Sequence, residues 1–153
     1  MPYEVEECVN VAKAKFDAYK NGIEPKSEFK ITMLNTVMSG KLRDVIDNWN
    51  FLWKKFQNSD SASEQQTIYQ ALGLIQDKDT LKNFSEFCLD PILCVEVTPS
   101  TILGRSIAQT KLGREVSWDF LVLNWQREFT EEFTDALFAV ECFTIAEFCS
   151  DFR

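Results

Sequence analysis

Apolar residues recur along this chain three and four positions apart, and nowhere alternate for long as a half-buried strand would require. Val5, Cys8, Val9, Ala12, Phe16 and Tyr19 form a first helical stripe that ends at Asn21-Gly22, a favoured helix stop. Phe29, Met33, Leu34 and Val37 predict a shorter helix closed by Gly40. Leu42, Val45, Ile46, Trp49, Leu52, Trp53 and Phe56 then make the cleanest stripe of the chain, broken by the polar run "NSDSAS". Ser63 with Gln66 reads as a capping box for the next helix, whose inner face is Ile68, Ala71, Leu72 and Ile75. "QDKD" is a turn, and Leu81, Phe84 and Cys88 mark a short helix stopped before Pro91. Thr98 and Pro99 have the character of N-cap and first helical residue of a segment running to Gly113.

The stretch "VSWDFLVLNW" poses the sharpest question. Trp118, Leu121, Val122, Trp125 and Phe129 lie on one helical stripe, with Phe120 and Leu123 on a second. Such a helix is expected to be sandwiched in a core rather than to build an aromatic ligand box. Trp49, Trp53, Trp118, Phe120 and Trp125 are therefore expected as structural core. Phe138, Cys142, Ile145 and Cys149 share the face of a last helix.

About eight helices joined by short polar links predict an all-α fold of stacked antiparallel helix hairpins, in one helical-repeat domain over residues 1–153. "WNFL" at Trp49 returns as "WDFL" at Trp118, a separation close to two hairpins of a helical solenoid.

Composition narrows the function. Sixteen basic and twenty-four acidic residues give a net charge of −8, with no local basic cluster, which argues against nucleic acid or anionic lipid as a partner. No apolar run reaches the roughly 18 residues needed to span a bilayer. The acidic opening "MPYEVEEC" has neither the basic region nor the apolar run of a signal peptide, so the targeting element of a secreted or anchored parent is expected to lie outside this chain. The five cysteines, Cys8, Cys88, Cys94, Cys142 and Cys149, have neither zinc-type spacings nor an even count, and read as buried free thiols. Cys88 and Cys94 are the best placed to pair in an oxidising compartment.

Zero histidines remove the usual general base, the Ser-His and Cys-His nucleophile pairs and the H-E-x-x-H zinc motif. The five glycines stand apart, so no phosphate-cradling loop is present. Glu128 and Glu132 share a helix face as solvated charge. No residue is assigned a catalytic or metal-binding role, and no cofactor is expected on this chain.

Three stretches taken together resemble one family. "WNFLWKKFQ" (Trp49 to Gln57), "SASEQQTIYQALGLIQDKDTLKNFSEFCLDP" (Ser61 to Pro91) and "GREVSWDFLVLNW" (Gly113 to Trp125) are similar, in order and spacing, to the C-terminal helical domain of zinc aminopeptidases of the aminopeptidase N type. The resemblance runs from about Cys8 to Phe129 and thins beyond. It implies a HEAT/ARM-like α-solenoid that caps a catalytic domain, shapes a peptide chamber and limits which peptides reach the zinc of the parent enzyme. The zinc and substrate-amine motifs of that family belong to upstream domains, so the chain alone is expected to be inactive. Partners are then the upstream catalytic domain and peptide substrate.

Where secreted relatives hold a disulfide between the second and fourth helices, this sequence has Leu34 and Leu74. Members of the family are most often membrane-anchored ectodomains or secreted, and sometimes cytoplasmic. The end at "CSDFR", inside an apolar pattern and without a cap, reads as that of a fragment of a larger C-terminal domain, with a cut end suited to self-association. The competing reading is a free-standing helical-repeat module that binds a partner protein.

A peptide's distal carboxylate needs a cation, and Arg105 and Arg114 are the candidates. Arg105 lies among Ile102, Leu103 and Ile107, with no charged neighbour in sequence. Arg114 opens the turn into the "SWDF" helix beside Glu115.

Overall fold

A computed structural model describes residues 2–40, 43–87 and 101–124, with side chains from Val5 onward. Every regular element among them is helical: α1 (Pro2–Lys20), α2 (Ser27–Ser39), α3 (Val45–Asn58), α4 (Ala62–Leu72), α5 (Lys78–Glu86), a π-helical turn (Thr101–Ser106), a 3-10 turn (Ile107–Gln109) and α6 (Lys111–Asn124). The chain divides into two compact units, Met1–Ile75 and Gln76–Arg153.

In the first unit, α1 packs on α2 and α3 on α4, while α2 also packs on α4, so one hairpin lies against the next. The turn after α1 is closed in a Schellman arrangement. The amide of Gly22 donates to Tyr19 O (3.0 Å) and that of Ile23 to Ala18 O (3.0 Å), with Gly22 at φ 89°. A left-handed residue is needed there, and glycine supplies it without steric cost. The core is made by Phe16 and Tyr19 of α1, Leu34 and Met38 of α2, Leu52 of α3, and Ile68 and Leu72 of α4, each under 2% exposed. Phe51 bridges α1 and α3, meeting the rings of Phe16 and Tyr19 edge-on at 5.9 and 6.0 Å.

Local signals place the helix starts more finely than the pattern did. The cap of α4 is Ser61, not Ser63: its hydroxyl accepts from the amide of Glu64 at 3.3 Å. Asp77 caps α5 in the same way, accepting from the amide of Thr80 at 2.9 Å. Several stripe residues lie outside the core. Val5, Phe29 and Ile46 are half or more exposed or close to it (66, 50 and 47%), and Cys8 is exposed, contrary to the buried-thiol reading.

In the second unit, α6 packs on α5 and on the 3-10 turn. The segment expected to run unbroken to Gly113 instead ends at Thr110, and Gly113 lies in the first turn of α6. A Cβ on Gly113 would stand 1.6 Å from the carbonyl oxygen of Ile107. Glycine is required here for close approach of two backbones, not as a helix stop. Trp125, Phe129, the carboxylates Glu128 and Glu132, the Thr98-Pro99 start, the last helix and four of the five cysteines lie outside the described residues.

Candidate functional site

The buried face of α6 is Gly113, Val116, Ser117, Phe120, Leu121 and Asn124. Trp118 is 47% exposed, Val122 60% and Leu123 80%, which corrects the expected stripe through Trp118 and Val122. The cause is the pair of small residues Gly113 and Ser117, four apart on one face. Gly113 admits the Ile107 carbonyl, and the Ser117 hydroxyl donates to Leu103 O at 3.4 Å, so the helix is seated on its smallest residues. A reading that weights large apolar side chains misses such a seam. Of the other expected core aromatics, Trp49 and Phe120 are each 7% exposed and Trp53 is half-buried.

The two arginines have different surroundings. Arg105 is the one exposed residue in a π-helical turn whose Ile102, Leu103, Gly104 and Ser106 are buried. Apolar burial on both sides of it fixes the backbone, and the guanidinium is left at the surface. Among the described residues it takes part in none of the ion pairs. Arg114 turns back onto the preceding segment. Its Nη1 donates to Ala108 O (3.3 Å) and Gln109 O (3.5 Å), meeting carbonyls at the end of the 3-10 turn. That guanidinium is occupied in holding the junction to α6, where Thr110 Oγ1 also accepts from the amide of Gly113 at 3.0 Å.

A second group of cations lies in the first unit and was not marked by the sequence pattern. Lys30 of α2 and Lys55 of α3 stand over the ring of buried Tyr19, at 5.0 and 4.1 Å from its centroid. Lys30 Nζ pairs with Glu24 (3.2 Å) and with Glu64 of α4 (3.3 Å), and Lys55 pairs with Glu24 (3.5 Å). Burial would lower the pKa of Lys30, but the hydrogen bond to Glu24, the interaction with Tyr19 and the two carboxylates together hold it above its ordinary value. Glu64 is held below the usual carboxylate range, chiefly by the hydrogen bond from the Ser59 hydroxyl (2.6 Å), against burial and with help from Lys30 and Lys55. Lys20 is likewise paired, with Asp17 at 3.0 Å and Asn48 Oδ1 at 3.1 Å. These lysines tie α1, α2, α3 and α4 together. Widely separated charges at positions 24, 30, 55 and 64 give no local signature, which is why the sequence does not announce the cluster.

Among the described residues no three His, Cys, Asp or Glu side chains converge as metal ligands, and no helix is long and apolar enough to cross a membrane.

The model of the ERAP1-like C-terminal domain matches residues 2–146. The chain belongs to that family. It is similar to aminopeptidase N of Mus musculus, 32% identical over 84 residues that make up 54% of this chain and 8% of the relative. Aminopeptidase N of Bos taurus is 24% identical over 129 residues, covering 81% of this chain and 13% of the relative. Aminopeptidase Ey of Gallus gallus is 24% identical over 132 residues, 83% of this chain and 13% of the relative. The chain thus spans only 8 to 13% of the length of these relatives. It is a C-terminal, non-catalytic domain of the aminopeptidase N type.

Proposed function

We propose that this domain caps a zinc aminopeptidase, shaping its peptide chamber and limiting which peptides reach the metal for removal of their N-terminal residues. The family match over residues 2–146 carries this reading. The chain's own composition supports it: with no histidine, this ERAP1-like domain has no means of binding catalytic zinc in the family's way. Its partners on this reading are an upstream catalytic domain, which holds the zinc, and the distal part of a peptide.

Arg105 is the residue proposed to meet that distal carboxylate. A cation serves such a contact only if it is not already neutralised, and Lys20, Lys30 and Lys55 are each paired with acidic side chains. Arg114 is engaged with backbone carbonyls. Arg105 is exposed and has no such partner among the described residues.

The test is Arg105→Ala in the full-length parent, assayed with long peptides and with a short aminoacyl amide. A selective loss on long peptides is expected. Equal rates on both substrates would remove Arg105 from the chamber. A coding sequence with no H-E-x-x-H segment upstream would replace the cap by the free-standing interaction module.

A further inference from the structure

Glu24 lies in the link between α1 and α2, and its polar partners among the described residues are two lysines of other elements. The amides of Asn21, Gly22 and Ile23 close the turn before it, while its own takes no part. Pro25 behind it has no amide to give and favours an extended backbone at Glu24. The side chain is 60% exposed, and its two oxygens are divided between the ammonium groups, Oε2 to Lys30 at 3.2 Å and Oε1 to Lys55 at 3.5 Å. A bound acidic ligand would be shared between two cations in the same way.

The lysines are positioned without Glu24. Both stand over the ring of Tyr19, which α1 supplies and which is buried. Lys30 is held in addition by Glu64 of α4, itself fixed by the Ser59 hydroxyl. With Glu24 withdrawn, Lys30 and Lys55 face Glu64 alone, two positive charges against one negative. Lys30, with 17% of its side chain exposed, is poorly placed to recover the difference from water. The Tyr19 hydroxyl is buried and has no hydrogen-bond partner among the described residues. A donor without an acceptor, on the ring that carries two ammonium groups, belongs to an anion site rather than to a finished salt-bridge network.

We propose that Lys30, Lys55 and Tyr19 form a carboxylate-binding site that Glu24 keeps closed, and that its ligand is an acidic peptide segment that displaces Glu24. A tethered carboxylate competes at an effective concentration on the order of millimolar, so a lone free carboxylate is held off. A segment of several acidic residues overcomes it by meeting more than one cation. Lys26 and Lys54 are exposed, take part in none of the ion pairs among the described residues, and flank the two site lysines in sequence. While Glu24 is in place Lys30 and Lys55 are neutralised, as the assignment of the distal-carboxylate contact to Arg105 requires. The proposal does not depend on that assignment, since it concerns the other unit of the chain.

Fluorescence anisotropy of a labelled hexaglutamate peptide, blocked at both ends and titrated with the full chain, tests it. Glu24→Gln should bind the peptide about tenfold more tightly than the parent, because the internal competitor is gone. Glu28→Gln makes the same change of charge at an exposed position in the first turn of α2 and should bring no gain. In the Glu24→Gln background, Lys55→Met or Lys30→Met should return the affinity to the parent's level or below. Unchanged circular dichroism establishes that each variant keeps the fold. Acetate at the same carboxylate concentration should leave the peptide bound. A Glu24→Gln variant that binds no better than the parent would overturn the proposal. So would an equal gain in Glu28→Gln, or a gain that survives the loss of Lys55. Displacement by acetate would make the ligand a free small carboxylate and overturn its assignment to an acidic segment.

Discussion

The indole Nε1 of Trp49 donates to the carbonyl oxygen of Leu72 at 3.0 Å, joining α3 to the last residue of α4. A helix leaves its final carbonyls without intrahelical partners, and a buried one must find a donor. Trp49 fills that role while its ring stacks on Trp53, 5.4 Å away and 16° from parallel. Trp49→Phe keeps most of the apolar contact but removes the donor, and should cost about 1–2 kcal/mol. Trp49→Ala removes both and should cost about 3–5 kcal/mol. Urea denaturation of the two variants separates the contributions. A Trp49→Phe variant as stable as the parent would mean that the hydrogen bond adds nothing to the packing.

Gly113→Ala should be among the most damaging small substitutions in the second unit. The added methyl would stand 1.6 Å from Ile107 O, and backbone atoms on both sides leave it no room. Relief requires α6 to move off the 3-10 turn, which breaks the Ser117 contact with Leu103 as well. Overpacking of this kind costs about 3 kcal/mol. Thermal unfolding followed by circular dichroism checks this, and an unchanged midpoint would show that the two segments are not so close in solution.

Stability should be flat around neutral pH and fall toward both extremes. Glu64 and Asp77 have depressed carboxyl pKa values, Glu64 chiefly through Ser59 and Asp77 chiefly through the Thr80 hydroxyl. A depressed folded-state value stabilises above the unfolded one and is lost as pH falls through the folded one, so the Glu64 contribution fades from about pH 4.5 downward and that of Asp77 from about pH 3.8 downward. Burial works against the Lys30 ammonium, but Glu24, Tyr19 and Glu64 raise its pKa above 10.5, so its contribution is whole below that value and fades as pH rises through the folded one. Denaturation midpoints across pH should therefore show Glu64→Gln and Asp77→Asn with shallower acid limbs than the parent. Acid limbs that stay parallel would deny these carboxylates their role.

The fold was legible in the sequence because its elements are long and periodic. Ile68, Ala71, Leu72 and Ile75 were read as an inner face, and all four are buried. Reading failed where packing depends on what a residue lacks. Gly113 looks like a stop signal, yet its missing side chain admits a carbonyl. Ser117 looks polar, yet it is fully buried against the π-helical turn. The candidate site was only partly legible. Absence of charged neighbours singled out Arg105 in sequence. Nothing in sequence told that Arg114 would turn back onto Ala108 and Gln109, because that contact depends on the chain breaking at Thr110.

The isolated chain should have no peptidase activity. Hydrolysis at neutral pH by this family's chemistry needs a metal-activated water, and the chain has no histidine with which to build the H-E-x-x-H site. Incubation with aminoacyl fluorogenic substrates and added zinc should give the background rate. Turnover that requires the metal would point to a ligand set other than histidine, and would move the chain from the capping role to an enzymatic one.

Trp118 and Phe120 are two residues apart on α6 and should respond unequally to truncation. On large apolar side chains alone, Trp118 belongs to the seam of the helix, and its replacement would cost as much as any core change. In the folded chain it is 47% exposed, whereas Phe120 is 7% exposed. A half-exposed ring loses little hydrophobic free energy when removed and leaves no sealed cavity, so Trp118→Ala should cost roughly 1 kcal/mol. Phe120→Ala opens a void beneath α6 and should cost roughly 3–4 kcal/mol. Tryptophan fluorescence gives a second readout: quenching by acrylamide should drop when Trp118 is replaced by Phe, since an exposed indole is then lost. If Trp118→Ala proves as damaging as Phe120→Ala, the helix turns its tryptophan inward in solution, and the seam built on Gly113 and Ser117 is not the one that holds it.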